Sequence, residues 1–278
     1  MPTPSGTGLL LAIDGDSLAH RAYHALPKTI RGNGRQVNAL VGFGNFLLRL
    51  WEAERPDAVV VAWDTLDVPN YRNEALPGYQ SGRVFEDSIV EQLGLLPGLV
   101  ESFGFAVAKA AGYEADDFLA AAASAWAGPV LVVTSDRDAF QLVSDRVTVL
   151  QPVRGVSELA RIGPSEVRER YGVEPAQVPD FIALRGDPSD RIPGARGVGP
   201  KSAANLLGQY GTLEAALEAG RFAPIADNLR LYRRIATMDA GAPTPELGAT
   251  PPDFARAEAK AQELGLNGLA KRIGECKS

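Results

Sequence analysis

The first half of the chain reads as an α/β fold, a mainly parallel sheet with helices on both faces, and the second half as all-helical. Three observations imply this. Short apolar runs alternate with longer amphipathic stretches up to about residue 155. Acidic residues gather where those runs end. Beyond that point the strand pattern gives way to short helices punctuated by Pro and Gly. Such alternation marks βαβ units, whose parallel strands are covered by crossover helices.

The predicted strands are the runs at 9–13 (LLLAI), 58–63 (AVVVAW), 103–108 (FGFAVA), 129–134 (PVLVVT) and 147–150 (VTVL). They are short and rich in β-branched residues, as strands buried on both faces are. Between them, NALVGFGNFLLRLWEAE repeats apolar residues at helical spacing. SIVEQLGLLPGLVESF does the same with an interruption expected at Pro97-Gly98, and EADDFLAAAASAWA is Ala-rich and helix-favouring. After 155 come GPSEVRERYG, PAQVPDFIALRG, PKSAANLLGQYG, TLEAALEAG and ADNLRLYRRIATMD, then a Pro-rich connector and a final amphipathic helix expected to pack on the rest.

The 278 residues suffice for a full core. The N-terminal MPTPSGTGLLLAIDG has no basic start, and Asp14 interrupts its apolar run, so neither a signal peptide nor a membrane span is expected. Cys276, the one cysteine, forms no internal disulfide, which fits a cytoplasmic protein. The formal charge of −6 argues at first sight against a polyanionic partner.

That charge is unevenly placed. Nine carboxylates arrive from five segments: Asp14, Asp64, the group Glu114, Asp116 and Asp117 in GYEADD, the pair Asp136 and Asp138 in TSDRD, and the pair Asp187 and Asp190 in GDPSDRIPG. A single Asp after a strand is as readily a turn or N-cap residue. Acids brought together from many segments repel one another unless divalent cations hold them ionised, and oxygen donors without His or Cys favour Mg²⁺ or Mn²⁺ over Zn²⁺. Asp14, Asp64 and Asp136 sit at carboxyl ends of predicted strands, where ligands of parallel sheets bind. With the nine set aside, the remaining charge is positive, and Arg185, Arg191, Arg196 and Lys201 fall in one short stretch. There GVGPKSA reads as a glycine hairpin opening a helix at Lys201, whose free N–H groups suit a nucleic-acid phosphate. By charge alone the basic runs, including Arg221, Arg230, Arg233 and Arg234, are solvated helix faces.

Taken together, DGDSLAHRAYHALP, AWDTLDVPNYRNEALPGYQSGR, GYEADD, VTSDRDAFQLV and LRGDPSDRIPGARGVGPKSA resemble the 5′ nucleases, that is, flap endonucleases and the 5′–3′ exonuclease domain of bacterial DNA polymerase I. The resemblance runs from about Leu10 to the C-terminal helix. It implies a PIN-like nuclease core over 1–172 with an arch-like insertion at about 66–92, and a helical DNA-binding module with a helix-three-turn-helix motif, plus C-terminal helices, over 173–278. Because the chain ends at 278, it is similar to the form without an attached polymerase.

The resemblance further implies two Mg²⁺ or Mn²⁺ ions. Asp14, Asp64, Glu114, Asp116 and Asp117 match the ligands of one, and Asp136, Asp138, Asp187 and Asp190 those of the other. It extends to a K⁺ ion at the helix-hairpin module. Arg83 and Gln80 in the arch and Arg21 on the first helix match catalytic positions, while Arg72, Arg191, Gly197, Gly199, Lys201 and Ser202 match DNA contacts. The chain departs from the pattern where the family has Tyr-Lys-x-x-Arg, since Gln80 stands in place of the Lys. Arg191 stands where Asn is common, and Ser135 where Gly is. The implied activity is metal-dependent phosphodiester hydrolysis of DNA at 5′ flaps, gaps and 5′ ends in replication and repair, in the nucleoid, with DNA polymerase and ligase as functional partners. Two other readings stay open: a PIN-like ribonuclease, and a non-catalytic DNA-structure binder made conceivable by Gln80.

Overall fold

Each apolar run becomes a strand of one sheet. The computed structural model describes residues 6–65, 68–81, 85–154, 158–249 and 251–276. In chain order, β1 (Leu10–Asp14) leads into α1 (Gly15–Ala25), a small hairpin of β2 (Arg31–Gly32) and β3 (Arg35–Gln36), and α2 (Asn38–Glu54). Then come β4 (Ala58–Ala62), α3 (Tyr71–Ala75), α4 (Asp87–Ser102), β5 (Ala106–Ala108), α5 (Ala115–Ala125), β6 (Val130–Val133), β7 (Val147–Arg154) and β8 (Glu158–Ile162). Helices α6 (Pro164–Tyr171), α7 (Val178–Arg185), α8 (Pro200–Tyr210), α9 (Leu213–Glu218), α10 (Ala226–Ala236), α11 (Phe254–Glu263) and α12 (Asn267–Glu275) complete the chain.

The sheet order is β5-β4-β1-β6-β7-β8, parallel throughout except for β8, which runs antiparallel to β7. β1 is central. The chain builds outward from it through β4 and β5 and then returns to its other edge with β6. That reversal is the switch point beside which parallel sheets open a crevice at their carboxyl ends. Every residue of β1, β4 and β6 is buried. Alternate side chains feed two cores: Leu10 and Ala12 pack with α5 and with α7 to α10, while Leu11 and Ile13 pack with α1, α2 and α4. Burying each such Leu or Ile fully is worth about 1.5–3 kcal/mol, so both faces contribute to stability.

The structure departs from the sequence reading in several places. Neither β8 nor the β2–β3 hairpin is among the predicted strands. α4 runs without a break through Pro97, whose missing N–H removes one helical bond but does not stop the helix. The arch-like insertion cannot extend to residue 92, because the first turns of α4 belong to the core: Ile89 and Gln92 are buried, and Gln92 Oε1 accepts the Ala39 N–H at 2.8 Å. α11 and α12 fold back onto the N-terminal half, with Ala257, Ala261, Leu269 and Ile273 in the same core as α2 and α4. Among the described residues, no helix is long and apolar enough to cross a membrane.

Candidate metal centre

The carboxyl ends of β1, β4 and β6 open into a cavity of about 860 Å³ lined by Asp14, Asp16, Asp64, Glu114, Asp116, Asp136, Asp138 and Asp187. Local structure aims each acid. Asp14 ends β1 and caps α1, its Oδ1 accepting the Ser17 N–H at 2.9 Å while Oδ2 accepts the Thr134 hydroxyl at 2.7 Å. Thr134 Oγ1 in turn accepts the Asp136 N–H, which ties the ends of β1 and β6 together. Gly15 follows Asp14 because α1 presses on Trp63. A Cβ there would lie 2.6 Å from the indole. Asp64 Oδ1 accepts the Ala115 N–H at 2.7 Å, and Glu114 is held by Asn70 and Tyr79.

Crowding acids in a low-dielectric wall penalises the charged forms. Burial pushes the Asp14 carboxyl up to about 7, and Asp64 and Asp136 add to the rise. Burial raises Glu114 to about 7 as well, against the pull of Arg72. Asp116 and Asp138 stand well above the usual carboxylate range, from burial first and from Asp136 next. Among the described residues no three acids are drawn together closely enough to hold a metal ion as they stand. The donor set nevertheless fits hard divalent cations. It is oxygen only, and Asp116 Oδ1 is buried with no hydrogen-bond partner.

Asp117 corrects the expected ligand set. It is 0 % exposed and does not line the cavity. Its Oδ1 accepts from Arg72 at 2.6 Å and from the Asp239 N–H at 2.8 Å, and its Oδ2 from Arg72 at 2.8 Å and the Glu114 N–H at 3.1 Å. A carboxylate offers about four lone-pair sites, so none is left for a metal. Arg72 is corrected with it. At 3 % exposure, and with Nε on the Ile235 carbonyl, its guanidinium is a structural group and not a DNA contact.

The model for the "5′–3′ exonuclease, N-terminal resolvase-like domain" matches residues 9–172, and that for the "5′–3′ exonuclease, C-terminal SAM fold" matches 173–255. The chain belongs to the 5′–3′ exonuclease family. It is 34% identical to a Streptomyces coelicolor 5′–3′ exonuclease, covering 95% of this chain and 98% of that one. It is 42% identical to DNA polymerase I of Deinococcus radiodurans over 78% of this chain but only 22% of that protein. The chain therefore spans about a quarter of the length of the polymerase I relatives it matches. Its fold is also that of the bacteriophage T5 flap endonuclease, solved with DNA and metal ions (TM-score 0.66, 20% identity, 96% of this chain and 98% of that one), and of the catalytic core of Rad2 with DNA substrate (TM-score 0.59, 13% identity, 96% and 93%).

Within this exonuclease fold the basic and polar candidates fall in distinct places. Gln80 is not on a helix; its φ of 48° lies in the left-handed region. Its amide donates to Asp190 Oδ1 and to the Tyr79 hydroxyl, each at 3.0 Å, so it fixes Asp190, an expected ligand that does not itself line the cavity but follows Asp187–Ser189, which do. Arg83, the other arch position expected to be catalytic, lies outside the described residues. Arg21 NH1 reaches Ser135 Oγ at 3.5 Å. Arg191 is exposed, with NH1 donating to Ser81 Oγ at 2.8 Å. Gly199 is the N-cap of α8, which begins at Pro200, one residue before expectation. Lys201 and Ser202 are exposed on its first turn, and a Cβ at Gly197 or Gly199 would meet nothing within 4 Å. Pro200, Arg170 and Tyr171 line both the acidic cavity and a groove that reaches Lys201. Two residues outside the expected site set also line the cavity: Asp16, whose signal was the DGD triplet, and Arg185, noted in the sequence only as part of a basic stretch, which donates to Asp187 Oδ2 at 3.0 Å.

Proposed function

We propose that the chain hydrolyses phosphodiester bonds of DNA at 5′ flaps, gaps and 5′ ends with the help of two Mg²⁺ or Mn²⁺ ions. The observation that carries this is the continuity of one surface: eight acids line a cavity whose wall runs through Arg170, Tyr171 and Pro200 to the free N-terminus of α8. A helix start with open glycines before it binds a backbone phosphate, and acids buried together beside it are costly unless a cation offsets their charge.

Asp14, Asp64, Glu114 and Asp116 would hold one ion, and Asp136, Asp138, Asp187 and Asp190 the other. Bound cations would keep these acids ionised, lower the pKa of an attacking water and offset charge on the phosphate and leaving oxygen. The chain's own part is positional. Thr134 and Ser17 fix Asp14, the Ala115 N–H fixes Asp64, and Tyr79 with Asn70 fixes Glu114. The α8 N-terminus and Lys201 would anchor the duplex, and Arg191 a phosphate beside the Ser81 hydroxyl. A K⁺ at the hairpin, a role in replication and repair, and cooperation with polymerase and ligase belong to the same reading.

The test is Asp187→Ala. It removes a candidate ligand and no phosphate donor, so flap cleavage should fall by at least about a hundredfold while flap binding in Ca²⁺ or EDTA stays within about threefold. Cleavage at the normal rate would overturn the two-ion assignment. A labelled RNA strand run in parallel reads out the ribonuclease alternative.

A further inference from the structure

Asp16 occupies the first turn of α1, where a carboxylate usually serves its own helix. That duty is already filled, since Asp14 caps the helix through the Ser17 N–H. Asp16 Oδ2 reaches instead across 48 residues to the Asp64 N–H, at 2.7 Å. That N–H lies just past the end of β4. The Trp63 N–H still donates to the Ala108 carbonyl in the sheet, and the register of β1 with β4 ends at Asp14 opposite Ala62. Asp16 therefore supplies the acceptor that the sheet no longer offers, at the residue whose side chain faces the cavity.

The arrangement continues one step further. Asp64 Oδ1 accepts the N–H of Ala115, the first residue of α5 and the neighbour of Asp116. Two bonds of 2.7 Å thus align the starts of α1 and α5 with the end of β4, the three places that present Asp14, Asp116 and Asp64. We infer that Asp16 is a positioning residue, which sets Asp64 and through it the start of α5 so that these acids face one another across the cavity. The inference rests on the proposed metal-dependent nuclease reading. Groups that orient metal ligands typically change metal affinity by about 10–100-fold when removed.

Asp16→Ala and Asp16→Asn separate this role from others, because Asn keeps an acceptor oxygen and loses the charge. Mn²⁺ binding is measured by calorimetry without DNA, alongside melting in EDTA and single-turnover flap cleavage against Mn²⁺ concentration. The Ala protein should bind Mn²⁺ about tenfold or more weakly and need correspondingly more Mn²⁺ for half-maximal cleavage, with a smaller loss at saturation. The Asn protein should recover most of that loss. Wild-type Mn²⁺ affinity in the Ala protein would overturn the inference. So would an Asn protein as weak as Ala, which would make the charge of Asp16, and not the N–H it holds, the important feature. Should the Ala protein fail to fold, the Asn protein decides alone by the same criterion. A wild-type protein that binds no Mn²⁺ would instead sink the nuclease reading itself.

Discussion

Arg72 joins three parts of the molecule at one guanidinium. It pairs with Asp117 on α5, donates to the Ile235 carbonyl at the end of α10, and lies 3.2 Å from Glu114 at the cavity edge. Truncating one partner of a buried pair leaves the other charge stranded, so Arg72→Ala should cost about 3–5 kcal/mol. That is a fall in Tm on the order of 10 °C, read by calorimetry in EDTA. A melt within about 2 °C of wild type would show the pair to be dispensable. Asp14, Asp64 and Asp136 were legible in the sequence because each comes at or within three residues of the end of a short apolar run, at the carboxyl end where a parallel sheet opens its crevice. Asp117 could not be told from Asp116 in the same way. Both sit in the first turn of α5, and only the chain 45 residues earlier, supplying Arg72, decides which turns inward.

At the scale of elements, α8 has no side-chain N-cap: Gly199 offers no acceptor, and Pro200 removes one N–H at the first position. The N–H groups left open by that glycine, with Lys201 beside them, are what would meet a phosphate. Lys201→Ala should weaken duplex binding uniformly across sequences and reduce the salt slope of log K by about one unit, with single-turnover cleavage at saturating enzyme nearly unchanged. An unchanged slope would leave the hairpin a plain turn. This hairpin was readable because its glycines precede a helical pattern. The β2–β3 hairpin was equally readable in hindsight: Asn33-Gly34 takes positive φ at both positions, as an Asn-Gly turn between strands requires. β8 was not, since its exposed, antiparallel edge position leaves only a weak apolar alternation.

Across the whole molecule, the acidic cavity couples folding to protons and to cations. In the absence of metal, Asp14 and Glu114 keep their protons up to about pH 7, whereas the unfolded chain loses them near pH 4. The folded state then binds more protons between those limits, so the contribution of these groups to stability is greatest at low pH and declines as pH rises from about 4 to about 7. Cations require the ionised acids and should reverse that loss. The rise in Tm on adding Mn²⁺ should accordingly be larger at pH 8 than at pH 5, with proton release during Mn²⁺ titration confirming the exchange; equal shifts at both values would place Mn²⁺ binding elsewhere. Fold class, strand ends and the helical second half could be read from periodicity. The convergence of acids from both halves of the chain was expected from their number and from the family resemblance and not from periodicity, because what carries Asp187 to the cavity is tertiary packing of the helical half against the sheet.

We propose that this acidic cavity is a metal-dependent active site acting on 5′ DNA ends. It is tested most directly by incubating a 5′-labelled flap substrate with the wild-type protein, with Mn²⁺ or with EDTA, and resolving the product lengths. Cleavage in Mn²⁺ at or near the junction of flap and duplex, none in EDTA, and none with Asp187→Ala in Mn²⁺ is the predicted result. An intact flap in Mn²⁺ under conditions where the protein binds it, or equal cleavage in EDTA, would contradict the account.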